Sequence, residues 1–393
     1  MAHQMTVNNA MAHTSTYNYP KPNPKIAIIG GGLSGLLTAT LLERAFAEQE
    51  PQTCTPKITI FEKSRSVGRL ATRYRTDEHT NKQWQWAFGA QFFTAKTDAF
   101  SAFITPWLKA GVIQPWCAHV VELTPNSEYQ SPDIRKKEQW DSQHARYIST
   151  PKMTSWGRAL AAELQHTTLK FKTHVAPLIQ TKVAIDTQTE LFDDTGASLG
   201  HFDWVICTVP AAQAINLLAK SGFDKLAQIR QPQMQACYTL MLGWDSAEQL
   251  PNVLRDDSLP IWDVAYLNES VLDRIFIEHH KPAHGELLPS ITIHARNDWS
   301  EVNVDEDIET VQTQLLAAAQ QVLQWKNRTA PSQIDIHRWR YAATLTTEQP
   351  LGIAVDNSRQ WIVSGDWCGQ GNIESCYQMA VETIQILMNA YKN

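Results

Sequence analysis

The residues best suited to chemistry are the glycines of KIAIIGGGLSGLLTATLL. Gly30, Gly32 and Gly35 stand in G-x-G-x-x-G spacing between an apolar run, Lys25 to Ile29, and a stretch of helical spacing, Leu33 to Glu48. Each glycine has its own task in holding a dinucleotide. One makes a tight turn, one lets the backbone approach a pyrophosphate, and one packs helix on strand, while the free N–H groups of the helix start face the phosphates. A second apolar run, Lys57 to Phe61, ends in Glu62, whose carboxylate suits the diol of an adenosine ribose. Its separation from Gly35 exceeds the usual roughly twenty residues, and Pro51 and Pro56 mark the extended loop that absorbs the surplus. Strand, glycine turn, helix, strand and acid occur in order and point to a dinucleotide site. The same run does not make a nucleophile elbow, because Leu36 rather than glycine follows Ser34 by two residues. A serine hydrolase is disfavoured.

Two further stretches narrow the choice of dinucleotide. Lys63 to Arg73 is a basic, glycine-containing turn suited to a second wrap around a pyrophosphate. Far along the chain, Trp361 to Ser364 reads as a strand, followed by Gly365 and Asp366 and, after Gly369 and Gly371, by a helix from about Ile373 to Met388. An acid at a strand end, a glycine for close approach and a helix start at Ile373 suit a ribityl hydroxyl and the pyrimidine edge of a flavin. NAD needs no such third element.

With these motifs the chain resembles a renalase-like member of the FAD-dependent amine oxidase superfamily. The matching pieces are IAIIGGGLSGL, FEKSRSVGRLATR, FGAQFFTA, PKMTSWGRAL, FDWVICTVPAAQA, HRWRYA, PLGIAVD and SGDWCG. The resemblance implies FAD with Gly30, Gly32, Ser34, Gly35, Glu62, Arg69, Val175, Gly365, Asp366 and Glu374 around it; Lys63 of the basic turn and Ile373 at the helix start are added from the residues themselves, and the FAD is expected to be held noncovalently. It also implies that Gln91, Phe92 and Phe93 lie in a flavin-facing turn, Gln91 bonding flavin or substrate and a phenyl ring walling the pocket. Trp339 is then a stacking surface for a planar substrate and Arg340 a partner for a phosphate or carboxylate, against the plainer roles of core indole and structural ion pair. Two departures stand out: Ser66-Val67-Gly68-Arg69 is one glycine short of the family's turn, and Ala87 replaces an aspartate before Phe88-Gly89-Ala90-Gln91.

The implied reaction is hydride transfer from a small reduced substrate to flavin N5, with oxygen regenerating the flavin and releasing hydrogen peroxide. The implied substrates are dihydropyridine isomers of NAD(P)H. Amine oxidation is the nearest enzymatic alternative, and a flavin-binding sensor without turnover or an NAD-dependent dehydrogenase are the others. Trp262, Trp299 and His294 are weaker substrate-side candidates. The histidines 279, 280 and 284 lack an acid at ligand spacing, and no metal site is expected.

The elements that must position these residues follow from the same reading. The fold class expected is α/β, a Rossmann-like FAD-binding domain assembled from residues 25–80, 150–213 and 335–393. Residues 81–149 and 214–334 then form an α+β substrate domain on an antiparallel sheet. Expected elements include a helix from Thr154 to Leu164 started near Ser149-Thr150-Pro151, strands at Thr168 to Val175, Val183 to Phe192, Trp204 to Val209, Cys237 to Trp244 and Ser290 to Ala295, and a turn at Asp193 to Gly196. Asp305 to Gln324 reads as an amphipathic helix packed on the sheet's edge, and Asn126 to His144 as an exposed loop.

Composition agrees with that picture. The 393 residues are 43% hydrophobic and 19% charged, and 34 basic against 40 acidic residues give a net charge of −6. This excludes a nucleic-acid binder working through a basic face. Six cysteines lie far apart without metal-ligand or disulfide-framework spacing and read as reduced thiols of a cytoplasmic protein. Residues 1–24 carry no export signal and read as a disordered tail. No stretch is apolar enough over roughly twenty residues to span a membrane.

Overall fold

The computed structural model describes residues 23–49, 55–65, 68–126, 132–179, 188–255, 261–345 and 350–392. Most of the N-terminal tail, residues 183–187 of the strand expected at 183–192, and Ser66 and Val67 of the shortened turn lie outside the described residues.

The chain has a mixed α/β fold with a Rossmann-like part. Its six-stranded sheet has the order Thr167–Phe171, Lys57–Glu62, Lys25–Ile29, Trp204–Cys207, Trp361–Val363, Ala354–Asp356. All neighbours are parallel except the last pair. Apolar runs form the four central strands because both of their faces are covered, so neither face needs polar alternation, whereas the edge strand Thr167–Phe171 is largely exposed. Ala27 pairs with Thr59 on one side and Val205 on the other. Helices Leu33–Ala47 and Ile373–Lys392 pack against each other, with Phe46 edge-on to Tyr391. The helix Thr154–Glu163 starts where expected, and Ser149 of the expected capping segment reaches it: the backbone N–H of Trp156 donates to Ser149 Oγ at 2.8 Å.

A seven-stranded sheet has the order Gln333–Thr344, Met234–Gly243, Ser290–Ala295, Leu272–Ile277, Val264–Leu267, His119–Thr124, Asp133–Gln139. Its pairs are antiparallel apart from Val264–Leu267 with His119–Thr124.

Four expectations are corrected by this topology. The polar stretch 126–144 is not simply a loop, since Asp133–Gln139 closes the sheet as an exposed edge strand. One-sided backbone pairing makes it a strand without any apolar alternation, and its charges guard the open edge. The helix on this sheet, Ile308–Leu323, lies across the face rather than the edge: Val311, Leu315, Ala319 and Val322 share a core with Leu240, Ile275, Ile291 and Ile293. The assigned boundary at 335 cuts a strand, because Gln333–Thr344 pairs along its length with Met234–Gly243 in the seven-stranded sheet. The boundary at 80 falls inside a hairpin in which Thr72–Thr76 pairs with Gln83–Ala87. At residue 80 a polar turn inside a hairpin looks like a linker when only composition is read, and at 335 the strand's partner, Met234–Gly243, is too far away in sequence for local reading to find.

Candidate functional site

The glycine turn closes at the carboxyl ends of the parallel strands, where open α/β sheets bind ligands. Gly30 has φ +112° and donates its N–H to Phe61 O at 2.9 Å. A Cβ on Gly35 would lie 2.0 Å from Gly30 O, so only glycine lets the helix start this close to the turn. A Cβ on Gly32 would meet nothing within 4 Å, and the helix begins there without a side-chain cap. Open space over uncapped N–H groups is what an anionic pyrophosphate requires. Ser34 is buried in the first turn.

Glu62 ends the neighbouring strand with its carboxylate against the turn, accepting from Gly31 N–H at 2.8 Å and Ser64 N–H at 2.7 Å. Each carboxylate oxygen keeps a lone pair for a ligand hydroxyl. Lys63 beside it is exposed. Val175 lies on the same side of the sheet, buried and bridged to Asp193, just beyond Thr173, whose N–H donates to Glu62 O at 3.0 Å.

The C-terminal motif meets this turn through Arg69. Arg69 Nη2 donates to Asp366 Oδ1 at 2.6 Å and Nη1 to Ala342 O at 3.2 Å. Asp366 is buried, and Gly365 before it leaves room for the Trp367 indole, 2.8 Å from where a Cβ would stand. The helix starting at Ile373 is capped by Asn372 Oδ1, which accepts from Ser375 N–H at 2.9 Å. Glu374 is differently employed from what the motif implies. Its carboxylate accepts from Lys96 N–H, Thr97 N–H and the Thr97 hydroxyl at 2.8, 2.9 and 2.6 Å, so its side chain anchors the loop before helix Asp98–Lys109.

The substrate-side candidates divide sharply. Gln91 is buried against the seven-stranded sheet, bonded to Ala87 O, Lys281 Nζ and His294 Nε2. Trp339 donates from Nε1 to Phe88 O at 2.8 Å and stacks on the Phe88 ring, with His337 edge-on to both. Arg73 lies 5.0 Å over the same Phe88 ring and is anchored to Asp335. Arg340 is a correction. One residue along the strand from Trp339, it points to the opposite face and pairs with exposed Asp305 at 2.7 Å, because strand side chains alternate. Phe93 is another: it is buried in the core, stacked on Trp156, whereas Phe92 turns toward Trp140 and Phe276. Trp262 is core, and Trp299 packs on Tyr238.

Pairing register adds residues that spacing could not reveal. His337, Thr239, His294, Arg274 and Tyr266 are cross-strand partners in succession, so they line one face of the seven-stranded sheet in a single row. Arg274 lies 5.1 Å over the Tyr266 ring. Behind the row, Glu278 and Lys281 form an ion pair at 2.9 Å with side chains 0% and 3% exposed. No sequence signal distinguishes this lysine, which sits in an irregular histidine-containing loop. Among the described residues no group of histidines, cysteines and acids is arranged to hold a metal.

Burial pushes the His294 ring down to about 3, with Arg274 and Lys281 adding to the effect, and burial with Arg73 pushes His337 down to about 4. In the unfolded chain both titrate near 6.5. Between about pH 6.5 and 4 the unfolded state therefore binds more protons, and stability should fall as pH falls, by up to about 1.4 kcal/mol per pH unit for each histidine. Urea titrations at a series of pH values should show this slope, and His337→Gln should remove one histidine's share.

The fold and the turn together define a dinucleotide-binding α/β protein. The NAD(P)-binding Rossmann-like domain family matches residues 28–105. Solved structures share the architecture over nearly the whole chain. One, provisionally described as a protoporphyrinogen oxidase from Exiguobacterium sp. 255-15, is 13% identical with TM-score 0.66, covering 92% of this chain and 99% of that one. A putrescine oxidase bound to putrescine is 10% identical with TM-score 0.61, covering 93% and 99%. A triple mutant of putrescine oxidase gives TM-score 0.64 at 10% identity, covering 94% and 99%.

Proposed function

We propose that this protein is an FAD-dependent oxidoreductase of the amine oxidase superfamily, of renalase type. It takes hydride from dihydropyridine isomers of NAD(P)H and passes the electrons to oxygen. The observation that carries the reading is convergence: the Gly30–Gly35 turn, Glu62, the Arg69–Asp366 pair and the helix start at Ile373 meet beside a sheet face bearing Trp339, His337 and the Phe88 ring. The open cradle at Gly32 and the buried acid at Asp366 fit a flavin dinucleotide at its pyrophosphate and its ribityl chain. The shared fold with two oxidases supports the same class.

In this reading Glu62 accepts from the ribose diol, the N–H groups around Gly32 and Ser34 with Lys63 and Arg69 hold the pyrophosphate, and the Val175 segment borders the adenine. Asp366 takes a ribityl hydroxyl beside Gly365. FAD, when bound, supplies the hydride acceptor at N5 and the route to oxygen. The N–H groups of Ile373 and Glu374, at the positive end of a long helix, stabilise negative charge at the pyrimidine edge by about 0.3–2 kcal/mol. Trp339 and Phe88 give a flat apolar surface for a planar ring, and His294, held by Gln91, supplies a polar contact at its rim.

Attachment is noncovalent in this proposal. Burial pushes the thiols of Cys207, Cys237 and Cys376 up to about 12 and that of Cys368 well up, so none is a ready nucleophile. Free cysteines and the absence of any described helix long and apolar enough to cross a membrane fit the proposed cytoplasmic location. With the boundaries adjusted to the sheets, the proposed nucleotide-binding part is 25–71, 150–213 and 350–392, and the substrate part 72–149 and 214–345.

Amine oxidation is the second reading, favoured by the putrescine-bound relative of the same fold. The visible spectrum of purified protein, taken before and after anaerobic addition of 2- and 6-dihydro isomers of NADH, tests both. Flavin bands that bleach with the isomers support the main proposal. Bands that bleach only with amines favour the second, bands that respond to neither favour a sensor without turnover, and a colourless protein that cannot be reconstituted with FAD overturns the class.

A further inference from the structure

Gln91 is 5% exposed and its amide has two ends that must be told apart. One end is 2.7 Å from Lys281 Nζ, and an ammonium only donates, so that end is the carbonyl Oε1. The other end meets Ala87 O, which only accepts, so it is the amide Nε2. Two independent neighbours give the same orientation. The remaining Nε2 hydrogen faces His294 Nε2 at 3.3 Å, and that ring nitrogen must accept it.

Lys281 is itself fixed. Its ammonium donates to Glu278 Oε1 at 2.9 Å, which also accepts from the Thr292 hydroxyl at 2.6 Å. We propose that the buried Glu278–Lys281 pair, acting through Gln91, holds His294 as its Nδ1–H tautomer. His294 then becomes a hydrogen-bond donor to a carbonyl or carboxamide oxygen of the substrate.

An imidazolium has no acceptor and would repel the Gln91 N–H, and burial already favours the neutral ring. A neutral ring whose Nε2 accepts carries its proton on Nδ1. Among the described residues Nδ1 makes no hydrogen bond, while His294 stands in the same row as Arg274 and beside the Phe276 ring. Lys281 and Glu278 are positioning residues here, and His294 is the group that touches the ligand. The tautomer depends on this chain alone, whereas the donor role rests on the proposed substrate face.

Long-range 1H–15N correlation spectra of protein labelled in its histidines read the tautomer directly, with or without flavin. His294→Asn identifies the ring's signals. The expected pattern is a pyridine-like Nε2 and a pyrrole-like Nδ1. Gln91→Leu should move the ring toward a mixture of tautomers, as should Lys281→Met combined with Glu278→Leu, which leaves no buried charge unpaired. A pyrrole-like Nε2 in the parent protein, or a ring unchanged in both variants, overturns the relay. In turnover, His294→Leu should raise KM by roughly tenfold, the size of one net hydrogen bond, with a smaller change in kcat. His294→Asn, which can place an amide N–H near Nδ1, should restore much of that loss. Unchanged KM in His294→Leu, or no recovery with asparagine, overturns the donor role even where the tautomer is as expected. Failure to bind FAD leaves the ring spectrum readable, so it counts against the proposed function alone.

Discussion

Gly35→Ala is expected to give a protein that has lost its dinucleotide and much of its stability. The new methyl carbon would stand 2.0 Å from Gly30 O, and its other near neighbours, Thr208 Oγ1 at 3.1 Å and the Gly30 carbonyl carbon at 3.2 Å, block a small shift. The obstacle is backbone, so the helix Leu33–Ala47 must withdraw from the sheet. Overpacking of this kind costs about 1–3 kcal/mol or more, and alanine's helix propensity returns only about 1 kcal/mol. Gly32→Ala separates the two effects. Gly32 has φ −71° and open space around its Cβ, so the fold should melt near the parent temperature while bound flavin falls severely. Melting curves with and without added FAD, together with flavin absorbance per protein, distinguish the two variants.

Asp366→Ala is the second large expectation. It removes the carboxylate proposed for the ribityl chain and also the partner of Arg69, a charge-assisted contact at 2.6 Å. Losing such a bond costs about 1.5–3 kcal/mol, and flavin content should fall at least about tenfold, since each 1.4 kcal/mol is a factor of ten. Asp366→Asn keeps an acceptor and should recover part of the binding. An NAD-dependent enzyme would not use this acid, and unchanged cofactor content in Asp366→Ala would favour that reading instead.

Four strands of the six-stranded sheet were legible because they are short, continuous apolar runs punctuated by glycine, proline and acids, whereas the edge strand Ala354–Asp356 is too short to show a pattern. Lys25–Ile29 matches the reading to the residue, and Lys57–Glu62 and Trp361–Val363 nearly so. The substrate side was less so, for three physical reasons. An edge strand such as Asp133–Gln139 needs only backbone pairing, and its sequence carries no apolar period. Adjacent strand residues face opposite ways, so taking Trp339 and Arg340 together, or Phe92 and Phe93, had to misplace one of each. The Gln91–Lys281–Glu278 contacts join residues far apart in sequence through a loop, where neither period nor spacing applies. Glu374 is an intermediate case: its position at the helix start was legible, but the loop that occupies its carboxylate was not.

The six-stranded sheet takes Lys25–Ile29 from near the start of the chain, and Trp361–Val363 and the Asp366 that follows it from near the end. During synthesis, at about 5–20 residues per second, the first strand and its glycine turn leave the ribosome well before their C-terminal partners exist. Trp204–Cys207 can pair with Lys25–Ile29 in the interim, yet its other edge stays open until Trp361–Val363 arrives. A nascent chain is thus an incomplete sheet with a bare parallel edge until that strand emerges. Such an edge invites chaperone binding or pairing with another chain, and the proposed ligand site closes only once Trp361–Val363 and Asp366 have emerged.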